Sequence, residues 1–191
     1  MQGEKEKGVQ MRNIGILGMQ CTGKSTLASY LSQITDLPIF KWAAPLYKAQ
    51  DIVSLTKNRE FLEGFSDLAK SCFGDDIIFK AGLDILKNMQ EEYRYVINDD
   101  LRYPHELKYA LENNWYLVFV DAPEVLRKQR AEAQGLTFTE NHASEHLFQK
   151  ENINKVIDKC DLFICNNTST KVEGTSYLKQ QAERIRGLVN Q

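Results

Sequence analysis

The sequence predicts an α/β protein of three layers. A sheet of about five mostly parallel strands is covered by helices on both faces, with a small lid. Three observations predict it. Short apolar runs alternate with longer stretches of helical periodicity, the pattern of βαβ units. The first apolar run passes directly into a glycine-rich segment and then a helix. The later runs end in polar or acidic residues, and the carboxyl ends of strands are where such sheets carry their sites.

Strand one is expected over 13–17. Its core, Ile14-Gly15-Ile16-Leu17, reads as a buried strand. The next segment, Gly18-Met19-Gln20-Cys21-Thr22-Gly23-Lys24-Ser25, fits G-x-x-x-x-G-K-[ST] at every fixed position. A helix follows over 24–34. Strand, glycine loop and helix N-terminus form a cradle for polyphosphate, because successive backbone N–H groups converge there and the helix dipole favours negative charge. The expected nucleoside triphosphate site is therefore Gly18, Gln20, Cys21, Thr22, Gly23, Lys24, Ser25 and Thr26. Lys24 reaches the β- and γ-phosphates, and the Ser25 hydroxyl ligates Mg²⁺.

Further strands are expected over 38–40, 93–98, 115–120 and 162–165. Helices are expected over 45–55, 59–72, 75–90, 104–113, 124–134 and 177–188. The stretch 135–141, extending towards His146, lacks periodicity and reads as a flap, so that about 124–146 forms the lid. Residues 166–175 read as a polar loop. The whole of 1–191 reads as one domain, with 1–11 a disordered tail. The rule of strand ends places the chemistry just after Leu17, Asn98, Val120 and Cys165.

Bulk properties exclude several classes. With 24 basic and 26 acidic residues the net charge is -2, which argues against broad binding to nucleic acid or anionic membrane through a basic surface. No apolar stretch reaches the length of a membrane span. Residues 1–10 are polar and lack the apolar core of a secretory signal. Cys21, Cys72, Cys160 and Cys165 form no C-x-x-C pair, which argues against zinc. A thiol inside the phosphate loop suits a reducing cytoplasm.

Strand three ends in Asp99-Asp100-Leu101-Arg102. Carboxylates at that position suit Mg²⁺ or its waters, or the orientation of an acceptor nucleophile. Asp99 is the expected metal residue and Asp100 the catalytic one, although spacing alone leaves the choice open. Arg102 can form a bidentate contact with phosphate. After strand four, Asp121-Ala122-Pro123 leads into a helix with Arg127, Lys128 and Arg130. Arg127 and Arg130 are three apart and share a face, as cations closing over reacting phosphates would. Trp42, Tyr47, Phe65 and Phe73 are candidate ring contacts for a base, and each reads equally well as core. His142 and His146 are four apart, but no third ligand accompanies them, and Ser144 reads as a helix cap.

Taken together, these residues resemble the nucleoside monophosphate kinases of the phosphate-loop (P-loop) kinases, and among them the phage-type deoxynucleoside monophosphate kinases. The resemblance runs from Asn13 to about Val189. Beyond the phosphate loop it rests on Lys41-Trp42-Ala43-Ala44-Pro45-Leu46 and on Arg59-Glu60-Phe61-Leu62 followed by Asp75-Asp76-Ile77-Ile78-Phe79. The most specific patch is Asp100-Leu101-Arg102-Tyr103-Pro104-His105-Glu106, similar to D-x-R-[FY]-x-x-E. His142-Ala143-Ser144-Glu145 and Asp161-Leu162-Phe163-Ile164-Cys165-Asn166-Asn167 complete it.

The resemblance implies a P-loop kinase fold, ATP as donor and Mg²⁺ as cofactor. It implies small nucleotides as partners, a homodimer, and a cytoplasmic setting, the host cytoplasm if the chain is phage-encoded. Arg59 and Arg102 would hold the acceptor monophosphate, with Asp100 beside it; Arg127 and Arg130 map to the lid arginines. The chain departs from the family at Glu63-Gly64 and Ser66-Asp67, where base contacts are expected, and in its Asp99-Asp100 doublet.

Two other readings compete. A dephospho-coenzyme A kinase shares the phosphate loop, Val120-Asp121-Ala122-Pro123 and Arg127, but the Asp100–Pro104 signature favours the nucleotide kinase. A GTPase-type switch would carry N-K-x-D and D-x-x-G. Asn154-Lys155-Val156-Ile157-Asp158 is one residue too long for the former, and the latter is absent from the sequence.

Overall fold

The computed structural model describes residues 11–53, 56, 58–136, 138, 147–148 and 152–189. Its elements are β1 (Ile14–Leu17), α1 (Lys24–Thr35), β2 (Ile39–Phe40), α2 (Ala44–Val53), α3 (Arg59–Phe73) and α4 (Ile77–Glu92). They continue with β3 (Ile97–Asn98), α5 (Pro104–Glu112), β4 (Tyr116–Asp121), α6 (Glu124–Ala133), α7 (Ile153–Ile157), β5 (Leu162–Cys165) and α8 (Lys171–Val189). The five strands form one sheet in the order β2-β3-β1-β4-β5. Every pairing is parallel, where the sequence predicts a mostly parallel sheet. Ile14 pairs with both Ile97 and Tyr116, so β1 is central and its carboxyl end lies between those of β3 and β4.

Strand side chains alternate between two cores, because successive Cβ atoms point to opposite faces of a sheet. Ile14, Ile16, Val118, Val120 and Ile164 pack with Leu27 and Leu31 of α1 and Leu178 and Ile185 of α8. Leu17, Leu117 and Phe119 pack on the other face with Leu86 of α4, Leu107 of α5 and Val156 of α7. The β4 residues Tyr116 to Val120 are all buried, which is why the run carries no polar alternation. Among the described residues no helix is long and apolar enough to cross a membrane.

Two boundaries differ from the sequence reading by three residues or more and one helix is new, each for a local reason. Strand three is expected from Tyr93, yet Tyr93 closes α4 by donating its N–H to Met89 O at 2.8 Å. The chain joins the sheet only at Val96, whose carbonyl accepts from Ile14 N at 2.9 Å. The last helix begins at Lys171 rather than Tyr177. Thr170 and Glu173 form a reciprocal cap there: Glu173 N–H donates to Thr170 Oγ1 at 3.2 Å, and Thr170 N–H donates to the Glu173 carboxylate at 3.4 Å. The short helix α7, absent from the sequence reading, is capped by Asn152, whose Oδ1 accepts from Asn154 N at 2.9 Å.

Candidate active site

The phosphate loop leaves β1 so close to β4 that only glycine fits. At Gly18 φ is +143°, and a Cβ would lie 2.1 Å from Val120 O. At Gly23 φ is +108°, and a Cβ would meet Asn166 Nδ2 and Leu178 Cδ1, each at 2.9 Å. Cys21 also lies in the left-handed region, at φ 59°. Lys24 folds back over the loop, and its Nζ donates to Gly18 O at 2.8 Å and Met19 O at 2.6 Å. The Thr22 hydroxyl donates to Met19 O at 3.1 Å. Gly23 is the N-cap of α1 and supplies no side-chain cap, so the first-turn amides stay available for an anion. Burial pushes the Cys21 thiol up against the opposing pull of Lys24, Arg127 and Arg130, which keeps it protonated and poorly nucleophilic.

A cleft of about 1370 Å³ opens at the carboxyl ends of the strands. Gln20 to Thr26 line its centre. On the β3 and β2 side it is lined by Asp99, Asp100, Arg102 and Lys41, and by Asp67 and Lys70 of α3. On the β4 and β5 side it is lined by Arg130, Gln134, Asn166, Thr168 and Thr170. The glycine loop and both flanks thus share one space large enough for two small molecules.

The acidic corner after β3 is tightly engaged. Asp100 is buried, and its carboxylate accepts from Trp42 N at 2.9 Å, Ala43 N at 3.1 Å and Asn98 Nδ2 at 2.8 Å. It ties the end of β3 to the entry of α2. Asp99, also buried, is ion-paired with Lys41. The expected metal and catalytic carboxylates are therefore held by partners within the chain. Among the described residues no three His, Cys, Asp or Glu side chains group around a point. Arg102 lines the cleft, and its Nε is buried with no hydrogen-bond partner among the described residues.

Glu106 explains how Arg102 is held. It is buried in the first turn of α5, and its Oε2 accepts from Arg102 N at 2.6 Å and Tyr103 N at 3.0 Å. Burial, with the negative charge of Asp100 added, raises its carboxyl to about 8, against the pull of the two N–H groups and the Arg102 charge. Folding therefore favours the protonated carboxyl. That contribution is complete below the ordinary value of 4.5 and is lost as pH rises through about 8. Glu106→Gln mimics the protonated form, so the variant should gain stability over wild type between pH 5 and pH 9, by on the order of a few kcal/mol. Melting curves across that range check this; parallel curves for the two proteins would refute it.

The two arginines expected in the lid part company. The guanidinium of Arg130 donates to Cys21 O at 3.2 Å, Asn166 O at 2.9 Å and Thr168 O at 2.8 Å. It clasps the phosphate loop to the loop after β5. Arg127 is buried on α6, with its guanidinium 5.4 Å from the ring centre of Phe138, and it is not among the residues lining the cleft. Arg59 opens α3, but its side chain lies outside the described residues, as do His142, Ser144, Glu145 and His146 and most of the expected tail and flap. Of the four candidate aromatics, Tyr47 lines the cleft. Trp42 is core, stacked on Trp115 and in tilted contact with Phe79, while Phe65 and Phe73 are exposed.

Sequence reasoning missed Lys41 and Lys70 of α3 as lining groups, whereas Glu63, Ser66 and Asp67, where base contacts are expected, do line the cleft. The signal for Lys41 was present. It follows Phe40, the last residue of β2, and the rule of strand ends applies there as it does after the other four strands. Lys70 lies 5.5 Å from the Tyr103 ring centre, a contact between helices that spacing along the chain does not reveal.

No protein-family model matches the chain, and no curated protein matches it in sequence. Solved structures do share its fold. Shikimate kinase from Acinetobacter baumannii, in complex with shikimate, superposes with a TM-score of 0.55 at 13% identity, covering 95% of this chain and 94% of that one. For shikimate kinase from Bacteroides thetaiotaomicron the values are 0.57, 11%, 93% and 99%. For the Aquifex aeolicus enzyme they are 0.54, 18%, 92% and 96%. At these identities the likeness is one of architecture: the chain has the three-layer α/β fold of the P-loop kinases.

Proposed function

We propose that the chain is a phosphotransferase that moves the γ-phosphoryl group of ATP to the 5′-phosphate of a nucleoside or deoxynucleoside monophosphate, giving the diphosphate. The observation that carries this reading is the corner after β3. It offers cations to the cleft, Arg102 and Lys41, while both of its carboxylates are engaged. A neutral hydroxyl acceptor needs a group to take its proton. A phosphate acceptor is already ionised and needs positive charge instead.

The roles follow. Gly18 to Thr26 hold the donor phosphates on backbone amides, and Lys24 swings from its loop carbonyls to the β- and γ-oxygens. The bond between γ-phosphorus and the bridging oxygen breaks as the acceptor oxygen bonds to phosphorus, and ADP departs. Ser25 opens α1 and lines the cleft, so its hydroxyl fits Mg²⁺, which neutralises phosphate charge when bound and needs few protein ligands. Asp99 fits the metal poorly, because Lys41 already holds its carboxylate. Arg130 fixes the donor side, and Arg102 together with Arg59 takes the acceptor phosphate. Asp100 acts by holding the acceptor corner in shape.

Two measurements test the reading. ADP release from Mg·ATP should depend on a nucleoside monophosphate in a panel of all NMPs and dNMPs, with dephospho-coenzyme A alongside; turnover with the coenzyme alone would replace the proposal. Arg102→Ala should raise the acceptor KM by about 10²-fold and leave the ATP KM within about twofold. Unchanged acceptor kinetics would remove Arg102 from the acceptor site.

A further inference from the structure

We infer that Lys41 is a binding cation for the acceptor phosphate, and that Asp99 is its positioning residue rather than a metal ligand. The inference rests on the phosphotransferase reading above and adds a residue to it. Four observations carry it.

Lys41 stands at the carboxyl end of β2, in register with the end of β3, since Phe40 pairs with Asn98. Asp99 is therefore its neighbour across the sheet. β2 lies two strands from β1, so the Lys41 backbone is about 10 Å from the strand that launches the phosphate loop, two inter-strand spacings away. That is on the far side of β3 from the donor cradle, beside Arg102, where the proposed reaction puts the acceptor phosphate.

The ion pair is also asymmetric. The Asp99 side chain is 1% exposed and that of Lys41 is 34% exposed. Both residues line the cleft, but the carboxylate is almost wholly covered while the lysine side chain stays accessible. An ammonium has three donors, and the carboxylate takes one side of it, so donors remain for an anion. A buried anion that aims an accessible cation fixes the direction of its positive charge before any ligand arrives.

Arg102 lines the same stretch of the cleft, with its Nε buried and lacking a hydrogen-bond partner among the described residues. Two cations of different shape, a planar fork and a point charge, suit one phosphate better than two carboxylates would. Finally, Mg²⁺ prefers carboxylates free to accept it, and neither carboxylate of this corner meets that condition: Asp100 accepts from two amides and Asn98, and Asp99 is held by Lys41.

The test compares wild type with Lys41→Met, Lys41→Arg and Asp99→Asn, using the nucleoside monophosphate that wild type turns over fastest. Lys41→Met leaves Asp99 buried without its cation and could fail to fold, so the double variant Lys41→Met/Asp99→Asn, which removes both charges, is measured beside it. The acceptor KM should rise about 10- to 100-fold in Lys41→Met or in the double variant, with the ATP KM within about twofold, and Lys41→Arg should recover most of the loss. Asp99→Asn should raise the acceptor KM while leaving the Mg²⁺ concentration for half-maximal rate unchanged. An acceptor KM unaltered by loss of Lys41 overturns the inference and leaves the phosphotransferase reading standing. A tenfold higher Mg²⁺ requirement in Asp99→Asn puts the metal on Asp99 and overturns it as well. Failure of wild type to turn over any monophosphate overturns the reading and the inference together.

Discussion

Lys24→Ala should abolish the proposed phosphoryl transfer, with kcat falling on the order of 10³-fold or more while the fold persists. The two sides of this expectation come from different contacts. In the structure the Lys24 ammonium is bound to two loop carbonyls, Gly18 O and Met19 O, at part-buried positions in the lining of the cleft. Water can take over both acceptors when the side chain is removed, so stability should change little. In the proposed reaction the same ammonium is the one positive charge that the phosphate-loop motif itself would bring to the β- and γ-oxygens, and nothing else in the loop would replace it. Lys24→Arg should rescue poorly, because a planar fork cannot occupy the site of a compact point charge against the loop. Steady-state kinetics with a melting curve separate the two effects. A kcat within tenfold of wild type would show that the loop does not serve transfer.

Asp100→Ala should destabilise the protein by roughly 3–5 kcal/mol, the largest stability effect expected of any cleft residue. Its carboxylate accepts from the amides of Trp42 and Ala43 and from the side chain of Asn98, all at 3.1 Å or less. Truncation leaves those donors in a corner that water reaches poorly, and it releases the entry of α2 from the end of β3. Trp42 anchors the aromatic core through Phe40, Phe79 and Trp115, so the disturbance would spread to that face of the sheet. Urea unfolding of the variant measures the loss. A change below about 1 kcal/mol would show that these bonds add little and return Asp100 to a purely chemical role.

Much of this architecture was legible because it follows from periodicity and from glycine. Gly18 and Gly23 can be read as obligatory before any coordinates exist, and the contacts that a Cβ would make with Val120 O and Asn166 show why. The buried run of β4 and the alternation of strands and helices gave the parallel sheet. Less legible was how the polar groups share their bonds. Asp99 and Asp100 are adjacent in sequence, and no spacing rule says that one faces Lys41 and the other the amides of Trp42 and Ala43. That division is decided by which strand lies alongside β3. Arg127 and Arg130 likewise share a helix face, yet one packs against Phe138 and the other reaches three carbonyls. The start of α8 could have been read from Thr170 and Glu173, whose T-x-x-E spacing is a cap signature overlooked in a stretch otherwise rich in loop residues.

The register of the central strand carries a consequence for how the chain is made. Ile14 pairs with Tyr116, about a hundred residues away, and the apolar face of α1 is covered by α8, the last of the described helices. During synthesis β1 and α1 leave the ribosome well before β4 and α8, their partners. Leu27, Leu31 and Ile16 remain without Leu178 and Ile185 until α8 has left the ribosome. Nascent chains stalled before residue 171 should therefore bind chaperones and precipitate, and a ribosome-bound chain should acquire protease resistance in one late step rather than by stages.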